Sequence, residues 1–207
     1  MSERKSVWLT DDRPHYDALT NRVTADVVVV GAGITGLTAA LLLQRQGREV
    51  VVVEANQVGT GTTGGTTGKV TSQHSLIYAR LIREHGAEVA QTYARANQEA
   101  IDLVADLVAA TSADCGFTRA SAFVYAVDGD DLPALAEENE AASGLGLPSR
   151  LNVASDVPFE VAGALEFSDQ AYFHAVRYCD ALAREFTRIG GRIFEGTRIR
   201  RLTEDRA

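Results

Sequence analysis

The chain has 207 residues, of which 45% are hydrophobic, and this composition indicates a folded globular protein rather than a disordered one. Its 20 Lys and Arg against 28 Asp and Glu give a net charge of −8, and no basic cluster is dense enough to predict a nucleic-acid partner. No apolar run approaches the ~18 residues of a membrane helix and the start is too polar for a signal peptide, so we expect a cytoplasmic protein with no membrane partner.

The first predicted element is a βαβ unit over residues 26–54. A run of four valines, residues 27–30, is typical of a strand buried on both faces. The sequence GAGITG follows directly, and apolar residues at helical spacing come after it. A second valine run at residues 50–53 predicts the next strand, and Glu54 stands at its carboxyl end. This order is the fingerprint of a dinucleotide-binding Rossmann unit.

Each part of the fingerprint has a physical task. Gly31 permits the tight turn, Gly33 lets backbone amides approach a pyrophosphate, and Gly36 lets the helix pack close to the sheet. The helix N-terminus adds unpaired N–H groups and a partial positive charge. Glu54 can accept hydrogen bonds from both ribose hydroxyls, and its charge disfavours the 2′-phosphate of NADP. The structural alternative is a βαβ unit that binds no nucleotide.

A stretch rich in glycine and threonine, residues 55–72, comes directly after Glu54. Such a stretch has little apolar surface of its own, but glycine backbones and threonine hydroxyls can hold phosphate and the polar edge of a ring system. Its position next to the ribose-binding acid favours a cofactor loop over a flexible linker.

The remaining pattern predicts shorter elements in chain order. They are helices within residues 73–110, a strand at 117–127, a helix at 132–142, strands at 150–153 and 164–167, a helix at 172–189, and strands at 192–194 and 197–202. The mixed middle part differs from the opening unit and suggests a substrate-facing layer inserted into the nucleotide fold. We therefore predict an α/β fold with a Rossmann-like domain at residues 1–112 and 171–207 and an inserted, incomplete α+β layer at residues 113–170.

The two cysteines predict neither a disulfide nor a metal site. Cys115 and Cys179 lie far apart in the sequence, without a CxxC pattern or histidine partners. Both are interpreted as reduced thiols.

Several segments together resemble a known family. They are GAGITG, the acid at Glu54, GTGTTGGTTGKVTSQH, and ALEFSDQAYFHAVRYCDALAREFTRIGGRIFEGTRI. They look like FAD-dependent oxidoreductases of the D-amino-acid oxidase superfamily, which includes glycine oxidase and sarcosine oxidase. SVWL near the start, GTTGGTTGKVTSQHSLIYA and YARANQEAI are similar to bacterial members in which this module precedes a C-terminal Rieske [2Fe–2S] domain. The resemblance covers nearly all of residues 6–204 but only the first part of the family pattern, so we expect an amino-terminal fragment.

The resemblance implies FAD as the cofactor and assigns residues to it. The expected cofactor-binding residues are Gly31, Ala32, Gly33, Ile34, Thr35 and Gly36 at the pyrophosphate, Glu54 with Ala55 at the adenosine ribose, Gly61, Thr62, Thr63 and Thr67 from the pyrophosphate to the flavin edge, and Ile199 at the adenine through its backbone. Members of the family oxidise a C–N bond of an amine or amino acid by hydride transfer to the flavin. The catalytic residues, the substrate, and the electron acceptor, oxygen or a redox protein, stay unassigned.

Two other functions remain open from the sequence. One is a plain NAD-dependent Rossmann dehydrogenase, which the glycine- and threonine-rich stretch argues against, because a simple NAD domain continues with regular βα units. The other is an FAD-binding fragment without turnover. For the 207-residue chain in isolation we expect poor solubility or self-association, weak FAD binding and no turnover, and for a longer protein that contains it a monodisperse, yellow preparation.

Overall fold

The structure is a computed structural model that describes residues 6–10, 12–152 and 159–203. The chain divides into two compact units. The first comprises Met1–Gly68, Leu107–Gly116 and His174–Ala207, and the second comprises Lys69–Asp106 and Phe117–Phe173. No helix in the described part is long and apolar enough to span a membrane.

The first unit contains a three-stranded parallel sheet. Its strands are β1 (Val27–Val30), β2 (Val50–Val53) and β7 (Arg192–Phe194), in the order β1-β2-β7. Val27 pairs with Val50, and Val52 pairs with Ile193. Two helices of the unit, α1 (Ile34–Arg45) and α5 (Ala175–Arg188), pack against each other.

The two valine strands are identical in sequence but differ in burial. All four valines of β2 are buried because β2 is the middle strand. In β1, at the edge of the described sheet, Val28 is 54% exposed and Val30 is 60% exposed. The prediction of a strand buried on both faces is therefore correct for β2 and wrong for β1.

The second unit contains an antiparallel sheet built around one long strand. Strand β6 (Gly163–Tyr172) pairs with β3 (Lys69–Val70), β4 (Thr118–Ala126) and β5 (Ser149–Asn152). Three helices lie between these strands along the chain: α2 (Tyr78–His85) and α3 (Ala87–Thr111) between β3 and β4, and α4 (Leu132–Gly144) between β4 and β5.

The core of the second unit explains where residues 69–106 belong. Tyr78 of α2 and Ala90 of α3 are fully buried in one cluster with Leu165 and Phe167 of β6. Because these helices share their core with β6, residues 69–106 group with residues 117–173 rather than with the predicted 1–112 segment.

The structure corrects two boundaries near the end of the chain. The predicted strand at 197–202 is wrong, since its described residues form neither helix nor strand. Two backbone hydrogen bonds join residues 196 and 197 to the chain just after β2, from Thr197 N–H to Glu54 O (2.8 Å) and from Gly196 N–H to Asn56 O (2.9 Å). The helix predicted from 172 begins at Ala175, because β6 extends to Tyr172. Position 153 of a predicted strand lies outside the described residues.

Candidate cofactor-binding site

A groove of about 550 Å³ lies in the first unit, beside the ends of β1 and β2. It is lined by Val30, Gly31, Gly33, Ile34, Thr35, Gly36, Glu54, Gly59, Gly61, Thr62, Thr63 and Thr66. Glu54 is the one charged residue in that lining. An anionic ligand in this groove would therefore meet backbone N–H groups and hydroxyls rather than a cationic side chain.

The glycine-rich turn shapes the groove by close approach. Gly31 has a φ of +102°, a conformation that side-chain-bearing residues rarely adopt. A Cβ at Gly36 would lie 2.0 Å from the carbonyl oxygen of Gly31 and 3.3 Å from Val29 Cγ1. Helix α1 can therefore meet the turn and strand β1 at this distance only with glycine at position 36.

Helix α1 begins without a side-chain cap. Its N-cap residue is Gly33, and its first turn contains no acid. The Ile34 N–H donates to Thr63 Oγ1 at 3.3 Å, which is long for this kind of hydrogen bond. The start of α1 thus retains N–H groups and a partial positive charge on the groove side, which suits a phosphate.

Glu54 is held in place by backbone N–H groups. Its Oε2 accepts from Ala32 N–H at 2.8 Å, and its Oε1 accepts from Asn56 N–H at 2.8 Å. Each carboxylate oxygen has a further lone pair that can accept from a hydroxyl group. The carbonyl of Ala32 accepts from Gly59 N–H at 2.9 Å. Ala32 therefore links the glycine turn, Glu54 and the threonine-rich stretch.

The glycine- and threonine-rich stretch has a defined conformation. It contains a 3-10 turn at Thr62–Gly65, after which the chain enters β3. A Cβ at Gly64 would lie 2.8 Å from Gly59 O, so the stretch folds closely on itself. Thr62, Thr63 and Thr66 line the groove.

The structure brings most of the expected cofactor-binding residues into this groove. Gly31, Gly33, Ile34, Thr35, Gly36, Glu54, Gly61, Thr62 and Thr63 line it. Ala32 is fully buried and takes part through its backbone. Ala55, Thr67 and Ile199 are outside the lining, and Ile199 is 38% exposed.

Three lining residues were missed by sequence reasoning. Val30 is the last residue of β1, Gly59 lies in the predicted loop but was not among its expected contacts, and Thr66 lines the groove where Thr67 was expected. A loop has no fixed period, so the sequence cannot tell which of two adjacent threonines faces inward. Gly59 carried a signal, because glycine is favoured at a positive φ, here +67°.

Cys179, which lies beside Gly59 of the groove, carries a protonated thiol. A Cβ at Gly59 would lie 3.4 Å from Cys179 Cβ. Burial raises the pKa of the Cys179 thiol to about 12, so it stays protonated at neutral pH. Within the described ranges, no group of three or more His, Cys, Asp or Glu residues could hold a metal ion.

Known proteins similar to this chain include two curated relatives and many solved structures. YhfW of Bacillus subtilis, named as a Rieske 2Fe-2S iron-sulfur protein, is 38% identical over 194 residues, covering 93% of this chain and 38% of YhfW. Gamma-glutamylputrescine oxidoreductase of Escherichia coli is 28% identical over 189 residues, covering 87% of this chain and 43% of that protein. The crystal structure of L-proline dehydrogenase from P. horikoshii matches with a TM-score of 0.71 at 19% identity, covering 93% of this chain and 47% of that one.

The chain spans about two-fifths of the length of these curated relatives, 38% and 43%. A family model described as FAD dependent oxidoreductase matches residues 26–207, which include the βαβ unit, Glu54 and the threonine-rich stretch. The α/β fold and the FAD cofactor expected from the sequence are confirmed at the level of the family. The chain belongs to the FAD dependent oxidoreductase family.

Proposed function

We propose that this chain holds FAD in the groove and is part of an enzyme that oxidises a C–N bond of an amine or amino acid. One observation carries the proposal: the uncapped start of α1, the fixed carboxylate of Glu54 and the threonine-rich turn line the same groove. A dinucleotide needs donors for its pyrophosphate and an acceptor for its ribose hydroxyls, and this groove offers both.

The residues of the groove divide by chemistry. Backbone N–H groups from Gly33 to Gly36 would bind the pyrophosphate, and Glu54 would accept from the adenosine ribose. Gly31 and Ala32 would shape the turn beside the pyrophosphate, since their own N–H groups donate to Val53 O and Glu54 Oε2. Gly61, Thr62 and Thr63 would contact the cofactor from the pyrophosphate towards the flavin. Ala55, Thr67 and Ile199, which do not line the groove, stay as proposed outer contacts, Ile199 through its backbone.

The chemistry of the reaction comes from the cofactor and its orientation. When bound, FAD supplies the hydride acceptor for oxidation of the carbon beside the substrate nitrogen. This chain's own residues bind and orient the cofactor, and we assign no general base among them. The second unit is proposed as the substrate-facing layer.

The names of the relatives support a substrate class and an acceptor. The similarity to gamma-glutamylputrescine oxidoreductase supports a small-molecule amine. The similarity to YhfW, named as a Rieske protein, favours an iron–sulfur electron acceptor over oxygen. Slow oxygen consumption by the substrate-reduced protein, together with fast reduction of a one-electron dye, would support that acceptor. Equal rates with both would favour oxygen.

The cofactor and the reaction are tested together by spectroscopy. The purified protein is expected to be yellow and to release FAD on denaturation, as identified by mass. Anaerobic addition of a primary or secondary amine should bleach the flavin absorbance. Release of NAD, or of no nucleotide, would contradict the proposal. FAD that no amine or amino acid bleaches would indicate the alternative, a binding module without turnover.

A further inference from the structure

The segment before the family-matched region is hydrogen-bonded to the glycine- and threonine-rich stretch. The described residues 6–10 and 12–20, here called the arm, contain no helix or strand and precede the matched segment, which begins at residue 26. The arm is nevertheless bonded to residues 58–66, here called the cofactor loop. Both segments belong to the first unit.

One set of contacts fixes the later part of the cofactor loop. Trp8 Nε1–H donates to the carbonyl of Thr66 at 2.6 Å. Ser6 Oγ donates to the carbonyl of Gly64. The Trp8 ring also packs edge-on against His174, with ring centroids 4.9 Å apart. The indole therefore has two separable roles, a packing role through its ring and a hydrogen-bonding role through its N–H group.

A second set of contacts holds the start of the loop at Val58, which is 1% exposed. Arg13 Nη2 donates to Val58 O at 2.6 Å. The same guanidinium binds both carboxylate oxygens of Asp180, at 2.7 and 3.1 Å, and both side chains are about nine-tenths buried. The ion pair orients the guanidinium, since a bidentate carboxylate fixes its plane.

The N–H group of Val58 is held from the other side. It donates to Glu195 Oε1 at 2.8 Å, and Glu195 is 2% exposed. The other oxygen of Glu195 accepts from Tyr16 N–H of the arm at 3.1 Å. Both polar backbone groups of Val58 are thus bound by charged side chains, one from the arm and one that the arm itself contacts.

These contacts reach the groove through the backbone. Gly59, next to Val58, donates its N–H to Ala32 O, and Ala32 N–H donates to Glu54. Residues between the two anchored ends of the loop line the groove, whereas Trp8 and Arg13 do not. The arm therefore has no place in the lining but is bonded to both ends of the segment that supplies it.

We propose that the arm positions the cofactor loop, through Arg13 at Val58 and through Trp8 at Thr66. The ligand named here rests on the proposed function, but the positioning contacts belong to the chain alone. A loop ordered before binding spares the ligand the entropic cost of ordering it, so loss of these anchors should weaken cofactor binding without removing any cofactor contact. Arg13 and Trp8 are positioning residues in this sense.

The test compares the parent protein with five variants, of which Arg13→Lys is the conservative one. Trp8→Phe keeps a ring against His174 and removes the N–H donor, and Arg13→Gln removes the charge that bridges Val58 and Asp180; the double variant combines them. The matched control is Arg192→Gln, because Arg192 Nη2 donates to Thr24 O at 2.8 Å and its loss frees chain before β1 without touching the loop. Hydrogen exchange of amides 58–66 is measured in cofactor-free protein, and FAD affinity by titration.

The double variant is expected to exchange its loop amides at least about tenfold faster and to bind FAD about tenfold more weakly, as expected for lost hydrogen bonds to charged or buried partners. The control should keep the loop exchange rate and the FAD affinity of the parent. The β2 amides of the double variant should exchange at the parent rate. Arg13→Lys should restore part of the loop protection. The proposal is overturned if loop exchange stays at the parent rate, if the control matches the double variant, or if exchange rises equally throughout the first unit. Absence of FAD binding in the parent protein contradicts the proposed function instead, and loop exchange still decides the role of the arm.

Discussion

Helices α1 and α2 begin in opposite ways. Helix α1 has glycine at its N-cap and no side-chain cap. At the start of α2, Glu138 of α4 accepts three backbone N–H groups, from Ile77 and Tyr78 at 2.7 Å and from Ala79 at 2.9 Å. Glu138 is 1% exposed, so this carboxylate is a fixed part of the second unit's interior.

The difference shows what makes a helix start available to a ligand. Every α-helix leaves its first N–H groups without intrahelical partners, and an anion is favourable there. In α2 the anion is built into the protein and serves stability. At the start of α1 the N-cap Gly33 provides no side-chain acceptor, and the proposed function assigns that position to the pyrophosphate of FAD in the neighbouring groove. An acid added at the start of α1 should therefore weaken cofactor binding, whereas removal of Glu138 at the start of α2 should lower the stability of the fold.

Removing the carboxylate of Glu138 from the start of α2 should have the largest effect on stability. Glu138→Ala leaves three N–H groups at the start of α2 without their acceptor, in a buried place. We expect a loss of about 3–5 kcal/mol in the free energy of unfolding, measured by urea titration followed by circular dichroism. Glu137→Ala is the control, since that side chain is 63% exposed and should change stability by less than about 0.5 kcal/mol. Similar losses in both variants would contradict the capping role.

Placing an acid at the N-cap of α1 should abolish cofactor binding and leave the fold intact. Gly33 has extended backbone angles (φ −86°, ψ −174°), so Gly33→Asp can place a carboxylate cap on α1. Its Cβ would lie 3.0 Å from Thr63 Oγ1, so the Thr63 side chain must shift by a few tenths of an ångström. That carboxylate would repel the pyrophosphate, and we expect FAD affinity to fall by roughly 3 kcal/mol or more, about a hundredfold. Stability of the cofactor-free protein should change by only a few tenths of a kcal/mol.

Two further glycine variants complete that experiment. Gly33→Val should also abolish binding with circular dichroism unchanged, because its side chain would occupy the phosphate's approach. Gly65→Ala is the control, since Gly65 does not line the groove and a Cβ there meets nothing within 4 Å. Stoichiometric FAD in the Gly33 variants would mean that the phosphates bind elsewhere.

Removing the carboxylate of Glu54, beside the start of α1, should have an intermediate effect on FAD affinity. Glu54→Ala is expected to weaken FAD binding by roughly 1.5–3 kcal/mol, the range for hydrogen bonds to a charged group. Equilibrium dialysis or fluorescence titration of FAD measures it. Glu49→Ala, an exposed acid before β2, should leave affinity unchanged. If the Glu54 variant retains FAD as the parent does, the ribose is not held by this carboxylate.

A third helix start adds a pH-sensitive case with the smallest effect. His174 Nδ1 accepts Arg177 N–H at 3.2 Å at the start of α5, which requires a neutral ring. Burial, and secondarily Arg177, lowers the pKa of His174. Burial, and secondarily Lys69, lowers the pKa of His74 in the second unit.

The sign of the pH dependence follows from these directions. Below about pH 6.5 the unfolded chain gains protons that the folded protein still excludes, so stability falls as pH drops from 6.5 through the lower folded pKa. Stability above pH 6.5 should be flat with respect to these groups. His174→Asn keeps a cap acceptor without titration, and urea midpoints near pH 7.5 and near pH 5.5 should then differ less than in the parent. An unchanged difference would exclude His174 as a source of the slope.

The local part of the site could be predicted from sequence, whereas its supports could not. The turn from Gly31 to Gly36 and Glu54 belong to one contiguous fingerprint, and the structure brings them to one groove. Glu138 lies 61 residues from Ile77, and Arg13 lies 45 residues from Val58, so no local pattern connects these partners. The roles of the groove residues towards FAD remain predictions.

The fold shows the same limit at the level of strands. The two valine runs predicted two strands correctly. Their sequences are identical, yet alternate valines are exposed in the edge strand β1 and all four are buried in the central strand β2. Burial depends on neighbouring strands, which a run of β-branched residues does not specify. The false strand at 197–202 has the same origin, because an extended segment becomes a strand only where a partner offers continuous pairing.

The two N–H groups that hold Glu54 have a thermodynamic consequence for recognition. A free glutamate side chain loses up to about 2 kcal/mol of rotational entropy when it is fixed in one conformation. Here the N–H groups of Ala32 and Asn56, which belong to the chain itself, fix the carboxylate. That loss is therefore part of the free energy of folding, and a ribose arriving at Glu54 meets a receptor group with no rotamers left to select.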